Sequence, residues 1–79
     1  MSNFEKLQNL LSRQLNLDYK LIKADTCFRE ELGMEEIEIM ELKLAIELNF
    51  HIVISYNDLN KLITVGDLVT FISMPYTFN

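Results

Sequence analysis

From Met34 to Phe50 the chain runs without a glycine or proline, and its apolar residues fall at helical rather than strand spacing. Ile39, Leu42, Ile46 and Phe50, supported by Ala45, recur at intervals of three and four, the stripe of a helix laid against a core. A second stripe of Ile37, Leu44 and Leu48, interleaved with Glu41, lies on roughly the opposite side. Glu36, Met40, Lys43 and Glu47 form a mixed stripe between the two. A helix in a small bundle needs one buried face, so the second stripe is either covered by another part of the chain or exposed for a partner.

The punctuation around this helix predicts three more. Ser2 followed by Glu5 reads as a capping box, and Phe4, Leu7, Leu11 and Leu15 give the stripe of a first helix ending at Gln14 to Asn16. Ser55 with Asp58 opens a short third helix whose Leu59 and Leu62 point inward. Thr64 with Asp67 opens a fourth, with Val65, Leu68, Val69 and Ile72 on one face, which must stop before Pro75. The expected architecture is all-α, with helices over about 3–16, 35–50, 56–61 and 65–73. Residues 17–34 form a long connection with Leu17, Leu21, Ile22 and Phe28 as scattered anchors and Asp25-Thr26 as a turn signal. His51 to Ile54 is an extended connector, and 75–79 a loose tail.

With 79 residues, 49% of them hydrophobic, the chain is expected to form one domain spanning 1–79. A single cysteine excludes an internal disulfide, charges interrupt the N-terminal apolar residues, and no apolar run is long enough for a bilayer. A cytoplasmic setting is the expectation. Residues 29–47 hold seven glutamates against Arg29 and Lys43, which accounts for the whole net charge of −5 because the remaining acids and bases balance. Such a field attracts a basic partner surface and argues against nucleic acid, whose phosphates need Lys and Arg.

Several ordered motifs carry a resemblance. Phe28-x-x-Glu31-Leu32-Gly33, the run Glu35-Glu36-Ile37-Glu38, Glu41-Leu42, Ala45-Ile46-Glu47, Phe50, Ile54 and Leu62-x-Thr64-Val65 resemble, in order and spacing, the conserved run of acyl and peptidyl carrier proteins. The resemblance extends from Phe4 to Ile72 and implies a four-helix carrier-protein bundle with a long first loop. It also implies docking through an acidic second helix to basic surfaces of fatty-acid, polyketide or related pathway enzymes. In the family a serine at the head of that helix takes up 4′-phosphopantetheine, and here Glu36 stands at its position. A carboxylate attacking coenzyme A would form a hydrolysable acyl phosphate instead of a stable phosphodiester, so 4′-phosphopantetheine is not expected. Glu35 replaces the family's Asp and is a weaker N-cap.

By position the family's recognition surface falls on Glu35, Ile37, Glu38, Glu41, Leu44 and Glu47, all of suitable character; Glu36 and Met40 are expected in the same partner-binding set, and Leu48 adds apolar area where the family more often has Glu. Glu36 is expected to supply negative charge where the phosphate would lie. Lys43 stands where an apolar residue would face the acyl cleft. His51 and Cys27 are each alone, with Cys27 expected as a small buried loop residue, and the glutamates lack the pattern of a calcium loop, so neither a catalytic group nor a metal site is expected. The expectation is a non-enzymatic, non-modified partner-binding protein that is a monomer when free. The alternatives are a carrier loaded through another residue, Ser55 or Cys27 being the available nucleophiles, and a structural subunit unrelated to acyl transfer. Because seven glutamates crowd into residues 30–47, added salt or divalent cations should raise the melting temperature, and a thermal scan at low and high ionic strength checks this.

Overall fold

The computed structural model describes residues 1–74, so the expectation of a loose tail at 75–79 lies outside the described residues. Side-chain oxygens set the helix starts. Ser2 Oγ accepts the Glu5 N–H at 3.1 Å while Glu5 Oε1 accepts the Ser2 N–H at 3.0 Å, a complete capping box opening α1 (Asn3–Leu15). Thr64 and Asp67 do the same for α4 (Val65–Ser73), with both bonds at 3.0 Å. At α3 (Tyr56–Lys61) only half of the expected box forms: Ser55 Oγ accepts the Asp58 N–H at 3.1 Å. Helix α2 (Glu36–Phe50) starts one residue later than expected, because Glu35 is its extended N-cap, with its N–H bonded to Glu38 Oε1 at 2.9 Å. Asn16 and His51 close α1 and α2 in the left-handed conformation, at φ 57° and 56°.

The four helices make the all-α bundle expected of the carrier fold. Among the described residues the nearest approach to a sheet is a single antiparallel bridge between Cys27 and Thr64. Helix α1 packs against both α4 and α2. The core joins Leu7, Leu10 and Leu11 of α1 to Ile39, Leu42 and Ile46 of α2, with Ile54, Leu59, Val65 and Leu68 closing it. Phe4, Leu15, Ala45, Phe50, Leu62, Val69 and Ile72 pack around this centre, partly buried. No helix among the described residues is long and apolar enough to cross a membrane.

The long loop is held by its own side chains and by its backbone. Ile22, Phe28 and Met34 enter the core, whereas Leu21, expected as an anchor, is 63% exposed. The reason is a 3₁₀ turn at Tyr19–Leu21 that periodicity did not reveal. Asp18 caps it at the Lys20 N–H, and Gln8 Nε2 donates to the carbonyls of Tyr19 and Ile22, both at 2.9 Å. That geometry turns Ile22 inward and Leu21 out.

Farther along, the Phe28 N–H bonds Ile63 O, the Val65 N–H bonds Thr26 O and the Gly66 N–H bonds Ala24 O, at 3.1, 2.9 and 2.7 Å. These bonds sew the loop to the entry of α4. Thr26 is the buried residue here, its hydroxyl accepting the Lys23 N–H, while Cys27 is only partly buried, contrary to expectation. A Cβ on Gly66 would lie 2.9 Å from the Ala24 carbonyl oxygen, closer than packed atoms tolerate. Gly66→Ala should therefore destabilise the fold by about 1–3 kcal/mol, seen as a lower urea midpoint with an unchanged m-value.

Candidate functional site: the outer face of helix α2

The chain is delivered to the head of α2 by a closed turn. The carbonyl of Cys27 accepts the N–H groups of Glu31 and Leu32, Glu31 Oε1 accepts the Cys27 N–H, and the Met34 N–H reaches Phe28 O. Gly33 makes the reversal at φ 64°, where side chains are disfavoured. With Phe28 and Met34 both buried, the next residues, Glu35 and Glu36, emerge on the surface.

Glu36 does not stand alone there. Its Oε1 lies 3.2 Å from Nη2 of Arg29, which also donates to Asn60 Oδ1 at 3.0 Å. Glu36 thus ties the loop, α2 and α3 together through one guanidinium. Both partners are substantially exposed, so this pair fixes orientation more than it stabilises. Arg29 and Asn60 were not among the expected site residues. The only signal was that Arg29 is a base inside the acidic segment, and its distance from Glu36 depends on the path of the loop.

The second stripe of α2, with Met40 of the mixed stripe beside it, is open to solvent. Ile37, Met40, Leu44 and Leu48 are 65, 48, 59 and 76% exposed, so the loop does not cover them. At helical spacing, the residues from Glu36 through Met40, Leu44, Ile37 and Leu48 to Glu41 span about 140° of continuous surface. Glu35 and Glu41 are exposed beside them.

Two acids expected on this face are engaged elsewhere. Glu38 is half-buried and occupied by the Glu35 N–H. Glu47, also in the expected docking set, has a structural task. Its Oε2 accepts Lys43 Nζ at 3.1 Å and the Ile54 N–H at 3.1 Å, holding the connector that leads into α3. Lys43, also half-buried, sits 5.2 Å from the centroid of the Tyr56 ring, so a lysine occupies the junction between α2 and α3.

Other candidate chemistry is quiet. His51 serves as the C-cap of α2 through its N–H to Glu47 O. Cys27, Arg29, Glu30, Asn60, Leu62 and Ile63 line an open depression of about 220 Å³. Partial desolvation pushes the Cys27 thiol up, and the charges of Glu31 and Glu30 push it further, which disfavours the thiolate. Among the described residues no three His, Cys, Asp or Glu side chains converge as a metal set.

Three carboxyls are held below their ordinary range. Glu47 is lowered by the Ile54 N–H and then by Lys43, Glu5 by the N–H and hydroxyl of Ser2, and Asp67 by the N–H groups of Thr64 and Ile63. A lowered folded-state value stabilises above the ordinary carboxylate pKa and is lost as pH falls through the folded one. Stability should therefore drop once pH passes below about 4. Glu47→Gln should lower the melting temperature at pH 7, with a gap to wild type that closes in acid, as read by circular dichroism melts across pH.

Residues 5–72 match the protein family described as a phosphopantetheine attachment site. The chain is 40% identical over 70 residues to an acyl carrier protein of Onion yellows phytoplasma, covering 89% of this chain and 92% of that one. It is 33% identical over 72 residues to an acyl carrier protein of Wolinella succinogenes, covering 91% and 95%. An acyl carrier protein of Clostridium acetobutylicum is 35% identical over 69 residues. The extent of these matches, on an all-α bundle of the expected layout, means that the chain belongs to the acyl carrier protein-like, phosphopantetheine attachment family.

Proposed function

We propose that this chain is a carrier-family protein that works without the prosthetic group, as an accessory that docks through α2 onto a basic surface of a pathway enzyme or subunit. The observation that carries the reading is the uncovered apolar stripe of Ile37, Met40, Leu44 and Leu48 beside Glu35, Glu36 and Glu41, with a carboxylate where the family's serine would be. An apolar patch supplies contact area, and the acids around it set on-rate and specificity.

The residues present do not suit attachment. Phosphopantetheine transfer needs a hydroxyl that ends as a phosphodiester, and position 36 offers a carboxylate paired with Arg29. Of the two other nucleophiles, Ser55 caps α3 and Cys27 is disfavoured as a thiolate. Lys43 at the α2–α3 junction places a charged head beside the space where an acyl chain would be shielded. Glu36 then acts as a fixed negative charge at the head of α2, with Arg29 holding it in place.

Intact mass after incubation with a broad-specificity phosphopantetheinyl transferase and coenzyme A should show no adduct. An adduct on the wild-type chain would instead support a loaded carrier. In a pull-down, the double charge reversal Glu35→Lys/Glu41→Lys should reduce recovery of the partner, and Glu36→Gln should weaken it. Unchanged recovery would remove the docking reading.

A further inference from the structure

Charge along the chain is polarised, and its positive part has a definite place in the fold. Residues 6–24 hold Lys6, Arg13, Lys20 and Lys23 against Asp18 alone. Within that stretch the 3₁₀ turn Tyr19–Leu21 leaves Tyr19 47% and Leu21 63% exposed, with Lys20 and Lys23 exposed beside them. One apolar side chain in water needs no account, but two on a firmly built turn between lysines do. The turn is fixed from beneath. The Leu21 and Ile22 N–H groups bond Asp18 O and Tyr19 O, both at 3.0 Å, and Gln8 donates to the carbonyls of Tyr19 and Ile22. Ser12 Oγ donates to Leu17 O, Ile22 is wholly buried, and the Asp18 carboxylate is occupied by the Lys20 N–H.

From this we infer that the turn is a second docking surface, on which Tyr19 and Leu21 enter an apolar pocket of a different protein while Lys20 and Lys23 meet Asp or Glu on its rim. A tip already held in place loses little conformational freedom on binding, and an aromatic with an aliphatic neighbour is the kind of anchor that fills a pocket. A three-residue turn lacks the amphipathic helix that a bilayer surface takes up, which favours protein over lipid. A second copy is a poorer occupant. It would have to meet the turn with its own acidic α2, and such a head-to-tail contact extends into a filament unless its rotation closes a ring. The turn also lies away from α2. Gln8 and Ser12 face it, whereas Gln14 Nε2 donates to Glu38 O at 2.8 Å. At helical spacing positions 8 and 12 stand about 120° and 160° from position 14 around α1. Two partners of opposite charge can thus be held at once, and binding at the turn does not depend on docking through α2.

The test uses the whole protein and two short synthetic peptides as probes, one with Phe-Leu between pairs of Glu and one with Ser-Ser in place of Phe-Leu. NMR titration should place the shifts caused by the Phe-Leu peptide on residues 19–23, with binding about tenfold tighter than that of the Ser-Ser peptide. Lys20→Glu/Lys23→Glu and Leu21→Ser should each weaken the Phe-Leu peptide by about tenfold. Leu44→Ser on α2 should leave its binding unchanged, and circular dichroism melts should show all three variants folded. No binding of the Phe-Leu peptide, equal binding of the two peptides, or shifts centred on another surface overturns the inference. Co-sedimentation with phosphatidylglycerol vesicles that is lost in Lys20→Glu/Lys23→Glu would assign the turn to lipid. Self-association in sedimentation lost in the same variant would assign it to a second copy, and either result likewise overturns the inference. The pull-down expected of α2 is unaffected by any of these outcomes.

Discussion

The backbone bonds joining residues 24–28 to residues 63–66 govern the rest of the molecule. A long connection in so small a bundle carries many N–H and C=O groups that need partners, and here those of Ala24, Thr26 and Phe28 find them at the entry of α4. Gly66 permits the closest of these approaches. Once the loop is committed to that side, with Ile22, Phe28 and Met34 pinned in the core, the outer face of α2 stays open. The open apolar face of α2 is a consequence of where the loop went.

The acidic residues divide by task more sharply than their number suggests. Glu5, Glu38 and Asp67 accept N–H groups at helix starts, Glu31 closes the turn before α2, and Glu47 holds the connector to α3. Glu36 is paired with Arg29. Of the acids expected on the partner face, Glu35 and Glu41 remain the most available. The negative field of residues 29–47 is therefore partly a by-product of building the fold.

Family membership and a glutamate at position 36 are compatible on physical grounds. The four-helix frame needs the core stripes, the caps and the buried loop anchors, and none of those depends on a serine hydroxyl. At position 36 the frame requires only a residue that tolerates exposure at the head of a helix, where the dipole favours an anion. Glutamate meets that requirement and adds a bond to Arg29 that a short hydroxyl side chain would not reach in the same way.

Much of this was legible in the chain itself. Helical spacing in 4–15, 39–50 and 65–72, together with the serine and threonine caps, determined four helices and their inward faces, because both signals depend only on residues within a turn or two of each other. The resemblance to carrier proteins and the carboxylate at position 36 were likewise readable from order and spacing. The tertiary structure alone decided that Leu21 points outward, that Thr26 rather than Cys27 is buried, that Arg29 meets both Glu36 and Asn60, and that Glu47 holds the connector to α3. Each of these depends on the path of an aperiodic segment or on groups far apart in sequence. The same is true of the open stripe on α2, since the pattern of Ile37, Leu44 and Leu48 says that a face is apolar, and only the placement of the loop says that nothing in residues 1–74 buries it.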